Sequence, residues 1–297
     1  MPESFIDRLV RRQNWLDGLA DFIQKVSGAV YTALGAPGRM LQNLLHGTTF
    51  LGHPLHPAIT DLPIGAWTVG VVLDYLAIFG HFVPAEAGDI ALLVGVVAGV
   101  LAIATGYTDF HDTFGHERRL ALMHGLTMST VAVVEIVSVV FRWVGGAGLH
   151  PAAVGLASAG LVLAVLGGYL GGHVVFSMGT AVNRNAFYNG SEDYVDVGAT
   201  DAFPENELRR VMVDDLPALV VRQRGKLCAI GAVCSHAGGP LEEGTLADGR
   251  VTCPWHGSIF DVCTGAVKGG PATFAQPQFE VREADGRVSL KPSVPLH

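Results

Sequence analysis

The sequence predicts an α + β chain of two parts, a four-transmembrane-helix bundle followed by a separate soluble domain. Three observations carry this. Of 297 residues, 49% are hydrophobic and only 15% charged, against roughly 25% charged in an ordinary soluble domain. The shortage is local: charges are sparse over residues 57–179, whereas residues 190–297 hold ten Lys/Arg and fifteen Asp/Glu. Four apolar stretches, at 57–79, 87–107, 120–144 and 152–178, reach the roughly 20 residues needed to cross a bilayer. This composition excludes a disordered or coiled-coil chain. A net charge of -8 argues against a nucleic-acid footprint. Four cysteines are too few for a disulfide scaffold, so their spacing points to metal chemistry.

Taken in order, residues 1–50 read as an interfacial N-terminal region. Trp15, Leu16, Leu19, Phe22, Ile23, Val26 and Val30 recur at helical spacing among charged residues. This is an amphipathic helix that either lies on the membrane surface or packs on a neighbour. No signal peptide is expected, because Asp7, Arg8, Arg11, Arg12, Asp17, Asp21 and Lys25 interrupt the apolar residues. The helical domain is placed at 51–180, with turn chemistry from Gly80 to Pro84, Thr108 to Glu117 and Gly145 to Pro151. Glycine pairs at Gly95/Gly99, Gly167/Gly171 and Gly168/Gly172 permit close approach of a helix or a flat cofactor. Arg142 is expected to pair with Asp74 or Glu135 inside the bundle. A linker at 181–191 leads to the soluble domain at 192–297.

Four spans put both ends of the chain on one side. That side carries Arg8, Arg11, Arg12, Lys25, Arg39, Arg118, Arg119 and Arg184, and the other only Arg142. The positive-inside rule then places the N-terminus and the soluble domain in the cytoplasm.

The soluble half carries the sharper signal. Cys234-x-His236 and Cys253-x-x-His256 are sixteen residues apart. Two thiolates and two imidazoles could hold a single tetrahedral zinc. They could equally hold a centre with both cysteines on one iron and both histidines on the other. Context separates the two. The runs Cys-Ser-His-Ala-Gly-Gly-Pro-Leu from Cys234 and Cys-Pro-Trp-His-Gly-Ser-Ile-Phe-Asp from Cys253 resemble the cluster loops of Rieske iron–sulfur proteins. Leu227 to Val233 reads as a strand entering the first loop. Gly265 to Ala272, with Gly269, Gly270 and Pro271, resembles the proline-containing loop that covers the cluster. The resemblance spans about residues 192–295 and implies an all-β domain with a [2Fe-2S] cluster on Cys234, His236, Cys253 and His256.

It also implies a tuning. In the high-potential respiratory subfamily a disulfide ties the two loops together, at positions matching Gly239 and Trp255, so that bond is missing here. Cys228 and Cys263 are expected to be buried free thiols. Ser258 matches a serine that hydrogen-bonds a bridging sulfur, while Phe260 replaces a tyrosine that hydrogen-bonds a ligand sulfur. An intermediate potential is expected. A ring-hydroxylating oxygenase would need a further catalytic domain with a two-His-one-carboxylate site. The residues after His256 contain a single histidine, His297, so a self-contained oxygenase is not expected.

The helical half is rich in histidine on the same side as the soluble domain. His53, His56, His111 and His116 flank the spans, and His124 and His173 lie within them. His81 and His150 fall on the other side. Paired imidazoles suggest haem b, with His124 and His173 as first pair and His56 and His111 as second. A quinone pocket, another metal and purely structural histidines are the alternatives. Asp61 is read as orienting an imidazole or capping the first span. Gly52-His-Pro-Leu-His-Pro, followed by Asp61-Leu-Pro-Ile-Gly65, resembles a bacterial family of four-helix membrane domains of uncertain function that recur joined to Rieske domains. That resemblance covers about residues 45–185. The expected function is a membrane-anchored electron-transfer protein, bound to lipid, that exchanges electrons with a quinol or haem and an unidentified redox partner. An anchored redox sensor and a ferredoxin-like accessory subunit, reduced by a soluble reductase and serving a separate oxygenase, are the alternatives.

Overall fold

Long apolar runs become long helices, and among its described residues the computed structural model of the chain contains four segments of bilayer length, the first of them carrying Pro57 and Pro63 near its start. It describes residues 5–80, 83–84, 86–144, 151–187 and 192–293. His81, His150 and His297 lie outside these. Three helices come first: α1 (Phe5–Arg11), α2 (Trp15–Ala33) and α3 (Gly35–His46). A short α4 (Leu55–Ile59) runs into α5 (Asp61–Phe79), followed by α6 (Glu86–Phe110), α7 (Gly115–Val144) and α8 (Pro151–Met178). The α4–α5 segment and α6, α7 and α8 are each long and apolar enough to cross a membrane. Each contains one of the expected spans.

The glycines shape this helical unit. A Cβ on Gly95 or Gly99 would collide with the Trp67 indole of α5, so that pair makes a slot on α6 for a large ring. Gly88 and Gly70 bring α5 and α6 together near Asp74. Arg142 of α7 donates to Asp74 Oδ1 and Oδ2 at 2.8 and 2.5 Å and to Asp89 Oδ1 at 2.8 Å. The expected ion pair is therefore made with Asp74 and extended to Asp89. Glu135, fully buried, has no hydrogen-bond partner among the described residues. Asp61 is exposed in the first turn of α5. There a carboxylate suits the helix dipole, and it neither caps the helix nor contacts a histidine through a hydrogen bond among the described residues.

Of the two readings for the N-terminal helix, packing on a neighbour is satisfied by one face of α2. Leu16 and Ala20 are buried in a cluster with Phe110 and Leu122. Arg119 binds Asp17, and Arg118 donates to Asp21 at 2.5 Å. The Gln24 amide caps the end of α6 by donating to the carbonyls of Phe110 at 3.0 Å and Thr113 at 2.9 Å. Trp15, Phe22, Val26 and Val30 stay exposed, so a second apolar face is left uncovered.

The second unit takes in residues 46–54 and everything from Ala181 onward. Its strands are β1 (Val195–Ala199), β2 (Leu208–Val213), β3 (Leu216–Gln223), β4 (Lys226–Gly231), β5 (Thr245–Ala247), β6 (Arg250–Thr252), β7 (Ile259–Asp261), β8 (Val267–Gly269), β9 (Gln278–Ala284) and β10 (Arg287–Pro292). They form an antiparallel sheet ordered β1-β10-β9-β4-β3-β2 and a smaller one ordered β5-β6-β7-β8. Strand β3 shows why the larger sheet is covered on both faces. Leu219 and Val221 point into one core with Ile230, Val251 and Phe260, while Ala218 and Val220 point into another with Val213, Val288 and Leu290. That is the period-2 alternation of a strand. Residues 181–187, the described part of the expected linker, make contacts in this unit. Asn185 donates to the Val233 carbonyl at 3.0 Å, and the Arg184 amide to the Ser235 carbonyl at 3.1 Å.

Candidate metal centre

The first Cys/His loop leaves β4, and the second joins β6 to β7. Both close with the same backbone hydrogen bonds. The Cys234 amide donates to the Gly239 carbonyl at 2.9 Å, and the Cys253 amide to the Ser258 carbonyl at 2.8 Å. In return the Gly238 amide donates to the Cys234 carbonyl at 2.8 Å, and Gly257 to Cys253 at 3.1 Å. Gly238 and Gly257 sit at φ +84° and +72°, left-handed conformations that favour glycine. One turn used twice thus presents two cysteines and two histidines.

The four side chains are sorted by element. Cys234 and Cys253 are buried, while His236 and His256 are half-exposed, with ring centres 5.0 Å apart and planes at 82°. The sulfurs are neighbours. The Cys234 thiol beside it holds Cys253 below the ordinary thiol range, against the opposing effect of burial. The same contact and burial push Cys234 up. Among the described residues, no three or more His, Cys, Asp or Glu side chains converge on one point suited to a single ion. A sulfur pair beside a nitrogen pair fits two metals with separate ligand sets. The space around the sulfurs is tight: a Cβ on Gly239 would lie 2.8 Å from Cys253 Sγ and 3.1 Å from the Trp255 ring.

The covering loop is packed as closely. A Cβ on Gly270, at φ +81°, would meet the Gly257 carbonyl at 2.6 Å. Buried Thr48 donates to the carbonyls of Gly270 at 2.9 Å and Ala272 at 3.2 Å, so residues 46–54 brace this loop from within the same unit. Ser258 Oγ, fully buried, accepts from the Ala272 amide at 3.2 Å. Its own proton has no acceptor among the described residues. Phe260 is buried in the core and offers no hydroxyl.

The expectation of free thiols at Cys228 and Cys263 is corrected. The two form a disulfide, with Cα atoms 4.7 Å apart. Cys228 is buried on β4 and Cys263 is exposed in the turn after β7, so the bond joins the two sheets. Asp261 shapes that turn by accepting from the amides of Cys263 and Thr264 and from the Thr264 hydroxyl.

In the helical unit the histidines pair differently from the expectation. His56 Nδ1–H donates to the Ala102 carbonyl at 2.9 Å, and His124 Nδ1–H to the Gly167 carbonyl at 2.8 Å. Their ring centres are 6.1 Å apart, with planes at 71°. His173 instead bonds Asp7 Oδ1 through Nε2 at 3.1 Å, and His116 Nε2 meets the same oxygen at 2.9 Å. His111 Nδ1 lies 3.2 Å from Ser27 Oγ. The reason is helical phase. Gly171 faces His124, and two residues on, about 200° around α8, His173 faces α1. His111 falls just past the end of α6 and meets α2, whose docking on the bundle the sequence left open.

Residues 193–280 match the Rieske [2Fe-2S] domain. The anthranilate 1,2-dioxygenase ferredoxin subunit of Burkholderia cepacia is 36% identical over 94 residues, which are 32% of this chain and 87% of that protein. The chain belongs to the Rieske family. The Rieske domain is also 34% identical over 87 residues to apoptosis-inducing factor 3 of Mus musculus; the match takes 29% of this chain and spans only 14% of that protein's length. Among solved structures, the ferredoxin of carbazole 1,9a-dioxygenase from Nocardioides aromaticivorans IC177 is 27% identical, with 34% of this chain and 100% of that one covered at a TM-score of 0.33. Residues 52–184 match a predicted membrane protein family, DUF2231. A Rieske domain implies a [2Fe-2S] cluster and electron transfer. Sequence reasoning missed three things around it: the Cys228–Cys263 bond, the Thr48 brace and the Asn185 contact. All link residues distant in sequence, where no local spacing gives a signal.

Proposed function

We propose that the protein is a membrane-anchored electron carrier whose Rieske centre exchanges electrons with a quinol or haem at the helical unit and with a further redox partner. The observation that carries this is the sorting of ligands into a buried sulfur pair and a half-exposed imidazole pair, in a chain that also holds four bilayer-length apolar helices. When bound, the cluster supplies a one-electron couple at a higher potential than four-thiolate clusters, because two neutral imidazoles replace two thiolates. Buried Cys234 and Cys253 would hold one iron of the cluster, and half-exposed His236 and His256 would hold the other and offer their ring edges to a partner. Exposed Trp255 lies beside His256, at 6.4 Å between ring centres, as an apolar contact for docking. The uncovered face of α2, with Trp15 and Phe22, suits the lipid interface.

Lys/Arg counting supports a cytoplasmic position for the N-terminus and the Rieske domain. In that compartment the Cys228–Cys263 pair would be held reduced. A second reading is favoured by the relatives named as ferredoxin subunits. In it the chain is an anchored accessory subunit, reduced by a soluble reductase and serving a separate oxygenase. Mixing the purified full chain with a quinol in nanodiscs and following the cluster spectrum separates the two. Bleaching by quinol is expected. Reduction by a soluble reductase alone would select the accessory subunit, and no reduction by either would leave a redox sensor. Zinc in place of paired iron and acid-labile sulfide would end all three.

A further inference from the structure

We propose that His56 and His124 are the two axial ligands of a b-type haem, an iron porphyrin held without covalent attachment. This deepens the reading above: the site stands on the helical unit alone, and only its role as the cluster's redox partner rests on that reading. The first argument is the separation of the rings. A metal–imidazole bond of about 2 Å puts each ring centre about 3 Å from the metal, so rings at a tetrahedral angle sit about 5 Å apart and rings on opposite sides about 6 Å apart. His236 and His256, which would share one iron of a Rieske centre, are 5.0 Å apart. His56 and His124 are 6.1 Å apart, a separation that accommodates one metal between opposed rings as well as an edge-to-face contact. Their crossed planes are compatible with this, since each ring can turn about its own metal–nitrogen bond.

The second argument is the tautomer. Carbonyl oxygens can only accept, so the bonds to Ala102 and Gly167 fix the proton on each Nδ1. That leaves Nε2 as the ligating nitrogen, as in most histidine metal sites. Neither Nε2 has a hydrogen-bond partner among the described residues. The third is ligand count. The pair offers a metal two imidazole nitrogens, and a porphyrin supplies the four further nitrogens that complete a six-coordinate iron. Glycine backs both rings: a Cβ on Gly106 would lie 2.8 Å from His56 Cε1, and one on Gly171 2.9 Å from His124 Cε1.

The test is the optical spectrum of the full chain, expressed with a haem precursor, purified in detergent and titrated with haemin. One haem per chain is expected, with the low-spin signature of two nitrogen ligands. His56→Ala and His124→Ala should each lose the Soret band, His173→Ala and His111→Ala should keep it, and His124→Met should keep haem with a shifted spectrum. The Rieske paramagnetic signal and monodisperse elution report that each variant is folded; if an alanine variant does not accumulate, the methionine variant and haemin titration of the wild type decide. No haem on the wild type after titration overturns the site. So does zinc or copper removed by the same substitutions, or haem lost from His173→Ala and kept in His124→Ala. Haem present without quinol-driven cluster reduction would keep the site and remove the electron-carrier reading. Quinol-driven reduction without haem would do the reverse.

Discussion

The molecule holds two facing pairs of imidazoles, and they are built in opposite ways. His236 and His256 are twenty residues apart, on two copies of one glycine-closed turn, half-exposed, with centres 5.0 Å apart. His56 and His124 are sixty-eight residues apart, on two helices, each locked by a main-chain carbonyl of a third or fourth helix, with centres 6.1 Å apart. The loop pair takes its geometry from local backbone, and the helix pair from tertiary packing. A site of the first kind can be transplanted with its loops. A site of the second kind depends on every helix that sets its phase.

The largest expected effect separates the two. His236→Ala should leave no Rieske centre: iron and acid-labile sulfide fall from about two of each per chain toward none, because a removed ligand opens the cluster to water. Optical features that depend on His56 and His124 should survive. His124→Ala should leave iron, sulfide and the Rieske signal in place. If either substitution destroys both sets of signals, the two sites are not independent.

Next come the glycines that back each pair. Gly239→Ala puts a methyl 2.8 Å from Cys253 Sγ, beside the Trp255 ring. Overpacking of this kind costs about 1–3 kcal/mol, and the cluster should be visibly substoichiometric by iron analysis. In the helices, Gly171→Ala crowds the His124 ring, while Gly168→Ala on the same helix meets nothing within 4 Å. The first should perturb the optical spectrum of haemin-treated protein and the second should not.

The same contrast explains what the sequence made legible. The Rieske ligands, Ser258 and Phe260 were readable because the chemistry sits within two short runs whose spacing is set by one turn. The four spans were readable because a bilayer demands length and apolarity. The pairing of His124 was not readable. Depth in the membrane placed it beside His173, but helical phase, through Gly167 and Gly171, turned it toward His56. Asp7 claimed both His173 and His116, and nothing in the spacing of α1 announces that. The disulfide was missed for a related reason. Cys228 lies on β4 of one sheet and Cys263 in the turn that follows β7 of the other, 35 residues apart, and they become neighbours only when the sheets pack.

That disulfide offers the next prediction. Cys263→Ser should destabilise the Rieske domain of the oxidised protein by about 2–4 kcal/mol, read as earlier thermal bleaching of the cluster. It also bears on sidedness. If the domain is cytoplasmic, exposed Cys263 should react with a membrane-impermeant maleimide in inverted vesicles without added reductant, and not in spheroplasts. A bond that resists labelling until reduced, with access only from the outer face, would place the domain in an oxidising compartment and reverse the orientation drawn from Lys/Arg counting.

The smallest effect concerns tuning. Ser258 Oγ accepts from the Ala272 amide and so keeps its proton for another acceptor. In the high-potential respiratory subfamily, which the position of Ser258 resembles, that acceptor is a bridging sulfur, and a hydrogen bond to sulfur favours the reduced, more negative cluster. Removing one bond worth about 1 kcal/mol should lower the potential by about 50 mV. Ser258→Ala tests this in a redox titration of the full chain. The alanine keeps the volume nearly unchanged at a fully buried position, so a fall in potential with full cluster occupancy isolates the hydroxyl. Phe260→Tyr probes the other half of the tuning. Its ring already fills the core, and an added hydroxyl reaching a ligand sulfur would raise the potential by a similar amount. If neither variant moves the potential, the centre is tuned by its net charge and exposure alone, and the loop pair owes less to its own hydrogen bonds than its sequence implies.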